Sequence, residues 1–190
     1  VSLVNMEKEL KLKTVIGLSG SIPNGLVPHP DGEHIIYPLG SVIVVKNVRR
    51  DEQAFLHGHT GPISCLVLSH DGKTIASGQT TDMGFKADVI LWSMDAAIRS
   101  ISEPVEKEEK ILHRLSLHKV KIQDISFSPL DTYVATLGGQ DDNNIVVWET
   151  ATGTAICGSP AAGDSSLCVK WFNGEEENRL ITGGKYTLRR

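Results

Sequence analysis

Residues 58–78 read GHTGPISCLVLSHDGKTIASG and residues 117–138 read LHKVKIQDISFSPLDTYVATLG; placing His118 on His59 aligns the two. Four, seven and nine residues past the histidine come Ile63, Leu66 and Leu68 in one copy and Ile122, Ile125 and Phe127 in the other. A serine follows (Ser69, Ser128), then a turn (HDGK, PLDT), then Ile75-Ala76-Ser77 or Val134-Ala135-Thr136. Each copy ends a β-branched run on tryptophan, at Trp92 and Trp148. An apolar pattern recurring in register marks a supersecondary unit that must stack on neighbours to bury its faces.

The same texture extends in both directions. Short β-branched runs such as VIVV (42–45), VILW (89–92) and IVVW (145–148), bounded by Gly, Asp, Asn or Pro, are strand signals, and no helical three-to-four spacing stands out. The class is therefore all-β. A degenerate copy, HPDGEHIIYPLGSVIVVKN (29–47), keeps the turn and two strands but has Tyr37 where the hydroxyl belongs and no tryptophan. Downstream, residues 167–172 and 179–184 repeat the first two strands, and a third begins at Tyr186-Thr187-Leu188, so a fourth repeat is expected to be cut inside its last strand.

Composition narrows the function classes. The chain has 190 residues, 40% of them hydrophobic and 22% charged, which places it among globular proteins. A formal charge of -4 with scattered Lys and Arg gives no footprint for nucleic acid. Cys65, Cys157 and Cys168 are odd in number and contain no CxxC pair, so neither a disulfide framework nor a zinc site is expected, and a reducing, cytosolic-type compartment is. No membrane span, secretory leader or Asn-X-Ser/Thr acceptor is evident. GLSGS (17–21) misses the GxSxG spacing and DDNN (141–144) is too short for a calcium loop, so no metal, cofactor or catalytic group is expected from either.

The repeated pattern resembles the WD repeat of β-propellers: GH, strand, turn, strand ending in a hydroxyl residue, turn, and a strand closing on WD. The variants here are Gly58-His59 with Trp92-Ser93 and Leu117-His118 with Trp148-Glu149. The resemblance implies four-stranded blades, with outer strands near 53–56, 111–116 and 154–157. It divides this incomplete propeller, a part of a longer one, into an N-terminal extension with a ring-closing strand (1–17, the strand at 10–16), a degenerate first blade (18–57), a second blade (58–117) with insertions at 79–88 and 95–110, a third blade (118–158) and a truncated fourth (159–190). It also implies a hydrogen-bonded network in each blade. The third repeat matches it in full with His118, Thr136, Asp142 and Trp148; the second has His59, Ser77 and Trp92, but Lys86 at the aspartate position. A buried imidazole N–H without an acceptor costs ~1–3 kcal/mol, so Asp82, Asp88 or a water is expected to substitute. His, Ser/Thr and Asp are also the residue types of a nucleophile relay. That alternative is weak, because the set recurs in each blade, the hydroxyl lies inside a strand, and a tryptophan occupies the space a substrate needs.

Several strings go beyond blade architecture: ASGQTTDMGFKADVILW (76–92), ILHRLSLHKVKI (111–122), LGGQDDNNIVVW (137–148), AICGSPAAG (155–163) and IYPLGS (36–41). They resemble a WD-repeat family of motile axonemes. The echinoderm microtubule-associated protein-like family shares the second-strand motif and the loop insertion but lacks AICGSPAAG, and ranks second. The axonemal resemblance implies a non-enzymatic scaffold of the cilium or flagellum cytoskeleton, bound to tubulin and other inner proteins of doublet microtubules; a soluble adaptor recruiting client proteins is the alternative. The expected partner-binding loop is 79–88, where Met83, Phe85 and Lys86 replace a short turn. The competing arrangement has Phe85 folded back over its own blade. The acidic stretch SEPVEKEEK (102–110) is expected to be a solvated loop.

Overall fold

The strand-joining turns share one constraint. Gly32, Gly72 and Asp131 stand at equivalent turn positions with φ of 70°, 76° and 58°, the left-handed region open to glycine and, less readily, to Asp or Asn. The computed structural model describes residues 12–18, 20–161, 165–172 and 179–189. These turns join the first two strands of three antiparallel meander sheets, and a further sheet follows. The first sheet holds β1 (Val27–Pro28), β2 (His34–Leu39), β3 (Val42–Asn47) and β4 (Glu52–His57). The second holds β5 (Ile63–Leu68), β6 (Thr74–Gln79), β7 (Lys86–Ser93) and β8 (Ile111–Lys119). The third holds β9 (Ile122–Phe127), β10 (Tyr133–Gly138), β11 (Asn144–Glu149) and β12 (Ala155–Pro160). The fourth holds β13 (Ser166–Trp171), β14 (Leu180–Gly184) and β15 (Leu188–Arg189).

The core lies between the sheets. In β7, Val89, Ile90, Leu91 and Trp92 are all fully buried, and their alternation sends Ile90 and Trp92 toward the first sheet and Val89 and Leu91 toward the third. A sheet covered on both faces needs such a continuous apolar run. Hydrogen bonds stitch the inner strands across each joint: Ile63 N–H donates to Gly40 O at 2.8 Å, Ser64 Oγ to Ile122 O at 2.7 Å, and Val169 N–H to Asp124 Oδ2 at 2.9 Å. The turns are linked as well. His29 Nε2 lies 3.1 Å from Gly72 O, and the backbone N–H groups of His70 and Asp71 donate to the Asp131 carboxylate at 3.0 and 2.9 Å. Packing thus passes from each sheet to the next, and the described sheets form an open arc of propeller blades.

The chain departs from a purely β reading at two helices between β7 and β8, α1 (Met94–Ser102) and α2 (Lys107–Lys110). Ser93 caps α1, its Oγ accepting from Ala96 N–H at 3.2 Å, and Asp95 sits in the favourable first turn. Met94, Ala97, Ile98 and Ile101 form an i, i+3, i+4, i+7 stripe packed over the core between the first two sheets. That spacing is present in the sequence, hidden because it directly follows the strand run that ends at Trp92. The acidic stretch is therefore partly helical; α2 buries nothing, and Glu109 pairs with Arg99 at 3.4 Å. Of the proposed closing strand at 10–16, residues 10 and 11 lie outside the described residues and Leu12 to Ile16 belong to no described sheet; Val15 instead exchanges two hydrogen bonds with the Gln53 side chain, at 2.8 and 3.0 Å. No helix among the described residues is long and apolar enough to cross a membrane.

Gly78 marks how closely two blades approach: a Cβ there would lie 2.5 Å from Ile122 Cβ and 2.8 Å from Cys65 Sγ. Gly78→Ala is expected to lower stability by about 1–3 kcal/mol through overpacking, read as a lower urea midpoint with an unchanged m value.

Candidate functional site

In the third sheet the turn after β10 brings Asp142 back over the end of β8. Its Oδ2 accepts from His118 Nδ1 at 2.5 Å, which leaves Nε2 to accept from the Thr136 hydroxyl at 2.7 Å. Thr136 Oγ1 in turn accepts the indole N–H of Trp148 at 2.9 Å. Backbone register makes this possible, since Trp148 pairs with Val134, two residues before Thr136 on the same face. The second sheet repeats the geometry: His59 Nε2 lies 2.7 Å from Ser77 Oγ, which accepts from Trp92 Nε1 at 2.8 Å.

The acceptor for His59 Nδ1 is none of those expected. Asp88 is committed to Arg114 at 2.9 Å, and Lys86 is exposed at the start of β7. The acceptor is Gln79, whose Oε1 lies 2.9 Å from Nδ1 and also accepts from Thr60 N–H at 3.1 Å, while its Nε2 donates to Thr60 Oγ1 at 3.2 Å. Gln79 stands two residues beyond Ser77, on the same face of β6. The equivalent residue in β10 is Gly138, where a Cβ would fall 2.1 Å from Asp142 Oδ2. One side chain fits beside the imidazole, from the strand or from the turn, and not both. The signal was present as Gln against Gly at matched positions.

The first sheet keeps neither the hydroxyl nor the tryptophan. Its polar cluster sits at the opposite end, where Asp31 Oδ2 accepts from His34 Nδ1 at 2.6 Å and Asn47 Nδ2 donates to His34 Nε2 at 3.2 Å. Burial pushes the Asp31 carboxyl up, but hydrogen bonds from the Glu33 and His34 N–H groups and from both His34 and His29 outweigh it and hold Asp31 well below the usual carboxylate range. His29, Asp31 and His34 place ligand-type atoms within 4.8 Å of one another. The Asn47 amide is oriented by the Arg49 and Arg50 N–H groups on its Oδ1, so it keeps His34 Nε2 an acceptor and Nδ1 protonated toward Asp31, closed to a metal.

The shared hydroxyls of the blade networks are enclosed. Ser77 and Thr136 have no exposed surface, and each hydroxyl is shared between imidazole and indole. The accessible chemistry lies at the end of the second sheet. The turn at 80–85 and the Thr60–Pro62 connection line a cleft of about 540 Å³, together with Lys86. Phe85 is 66% exposed and Met83 78%, so Phe85 does not fold back over its blade. The turn is anchored on the joint to the third sheet: Thr81 N–H donates to Val120 O at 2.6 Å, and Val120 N–H to Phe85 O at 3.1 Å.

Comparisons with known proteins agree with this architecture. The WD domain, G-beta repeat family matches residues 50–93 and 109–149. Cilia- and flagella-associated protein 52 of Chlamydomonas reinhardtii is 46% identical over 185 residues, covering 96% of this chain and 28% of the relative. The Homo sapiens protein of that name is 51% identical over 183 residues, 95% of this chain and 28% of the relative. Mouse WD repeat-containing protein 90 is 28% identical over 76% of this chain. Among solved structures, that of U3-55K superposes with a TM-score of 0.64 at 18% identity, covering 84% of this chain and 44% of its own, a likeness of fold. The chain spans about 28% of the length of these cilia- and flagella-associated relatives.

Two outcomes follow from the Gln79 arrangement. Gln79→Ala strands the His59 and Thr60 N–H groups and is expected to cost about 1–3 kcal/mol of stability in urea unfolding. Burial, opposed in part by the Gln79 hydrogen bond, lowers the His59 pKa to about 4. A folded-state value below the unfolded ~6.5 means that the unfolded chain binds the proton first, so stability is full above about pH 6.5 and declines as pH falls toward 4. The decline is expected to reach up to about 3 kcal/mol, and His59→Gln removes it from the pH dependence of the urea midpoint.

Proposed function

We propose that this chain, a run of WD40 repeats of the β-propeller class, is part of a non-enzymatic scaffold in motile cilia and flagella that binds tubulin and neighbouring inner proteins of doublet microtubules. The similarity to cilia- and flagella-associated protein 52 along nearly the whole chain carries the proposal. The chemistry of the surface supports it. The hydroxyl and imidazole groups that could do covalent work are spent inside blades, whereas the largest exposed apolar groups of the second blade, Met83 and Phe85, stand on a turn beside Lys86. An exposed aromatic flanked by a flexible thioether and a cation has the make-up of an interface anchor.

The assay is co-sedimentation of the full-length protein with salt-washed axonemal doublets. Retention on doublets is expected, with Met83→Ala/Phe85→Ala weakening it about tenfold, the effect of one lost anchor. Wild-type protein released entirely with the soluble matrix overturns the proposal.

A further inference from the structure

The turn at 80–85 is held more firmly than an exposed loop requires. Val120, a β-branched residue, has φ of 61°, a backbone state that such side chains rarely adopt. Both its backbone groups are gripped by the turn: its N–H by Phe85 O at 3.1 Å, its carbonyl by Thr81 N–H at 2.6 Å and by Thr81 Oγ1 at 3.2 Å. The turn is thereby fixed across the joint between the second and third sheets, and Phe85 and Met83 are presented on a rigid base.

Beside them lie three cations without a carboxylate. Lys86 stands directly opposite Lys119 in the β7–β8 pair, and Lys121 bridges Thr80 on the same joint. Directly opposed residues leave one face of an antiparallel pair together, and like charges there are destabilising. Three other lysines are paired, Lys46 with Asp51, Lys73 with Asp71 and Lys170 with Asp124, whereas among the described residues no acid forms an ion pair with Lys86, Lys119 or Lys121. This basic cluster stands out on a chain whose net charge is -4. It adjoins the cleft whose walls include Pro62 and Phe85 and whose one acid is Asp82.

We infer that the surface formed by Lys86, Lys119, Lys121 and the cleft beside Phe85 docks an acidic segment of a partner protein, with one apolar side chain of that segment against Phe85. The inference deepens the scaffold reading above and names the chemistry of a partner at the same loop. Lysines act as point charges suited to separate carboxylates, while the forked guanidinium favoured for phosphate is missing from the cluster. Asp82 in the cleft opposes a uniformly charged polyanion and tolerates a peptide whose acids are spaced.

The test is fluorescence anisotropy on the full-length protein with a short labelled peptide that alternates glutamate and glycine around one central leucine. Binding that weakens with rising ionic strength is expected. Lys86→Glu is expected to reduce affinity about tenfold while the melting temperature stays level or rises, because the variant creates an opposite-charge pair with Lys119. A merely structural role for Lys86 would move the two together. Phe85→Ala is expected to weaken binding several-fold, and the all-glutamine peptide to bind no better than Lys86→Glu binds the acidic one. Unchanged affinity in Lys86→Glu overturns the inference, as does displacement of the peptide by a single-stranded oligonucleotide of equal charge at lower concentration. Doublet retention separates the two readings: no peptide binding by a protein that doublets still retain sinks the acidic-segment inference alone. Lysine-dependent peptide binding by a protein that doublets release sinks the scaffold proposal alone.

Discussion

One small hydroxyl in each well-formed blade has to satisfy two buried rings. Trp148 delivers its indole N–H to Thr136, and His118 needs a donor for Nε2; a hydroxyl is the one side-chain group that accepts and donates from a single atom in that space. Ser77 and Thr136 have no exposed surface, so each lost partner would cost ~1–3 kcal/mol. The requirement fixes much else. The hydroxyl must lie two residues beyond the rung that carries the tryptophan, so β10 and β11 have one register; the histidine must return from the end of the preceding sheet, so that sheet's outer strand is tied to the next blade.

The remaining imidazole nitrogen admits two solutions. In the third blade a turn aspartate reaches over Gly138; in the second, Gln79 fills that space from the strand. The difference is electrostatic as well as steric. The acceptor at His118 is a carboxylate, whereas the amide at His59 leaves burial dominant there. It also changes what the neighbouring turn can do. With the acceptor on β6, the turn at 80–85 no longer has to place an acid inside the blade, and it can lengthen and expose Met83 and Phe85.

Strand order and the buried rings were legible because they rest on spacing that recurs: His59 with Ser77 and Trp92, His118 with Thr136 and Trp148. Gln79 escaped because it reaches the imidazole from the strand, a position that the repeat's aspartate spacing does not mark. Helix α1 escaped because its stripe of Met94, Ala97, Ile98 and Ile101 directly follows a strand run and has no turn to separate the two periods. The Asp31–His34–Asn47 cluster in the first blade is a three-body arrangement across two strands and a turn, and no linear spacing specifies it.

The second blade binds its neighbours through both of its insertions. The first blade lacks the shared hydroxyl, with Tyr37 and Lys46 at the positions of Ser77 and Trp92, so its sheet has no hydroxyl shared between two rings to pin it. Helix α1, inserted after β7, lays its apolar stripe over that sheet and adds the burial that the degenerate repeat does not supply. At the other edge, the turn at 80–85 holds Val120 in a backbone state it would otherwise leave, and so fixes the angle at which the third blade begins. A longer connection usually loosens a repeat array. Here each one ends on the adjacent blade, so the repeat with the most inserted chain is also the one that orders the arc.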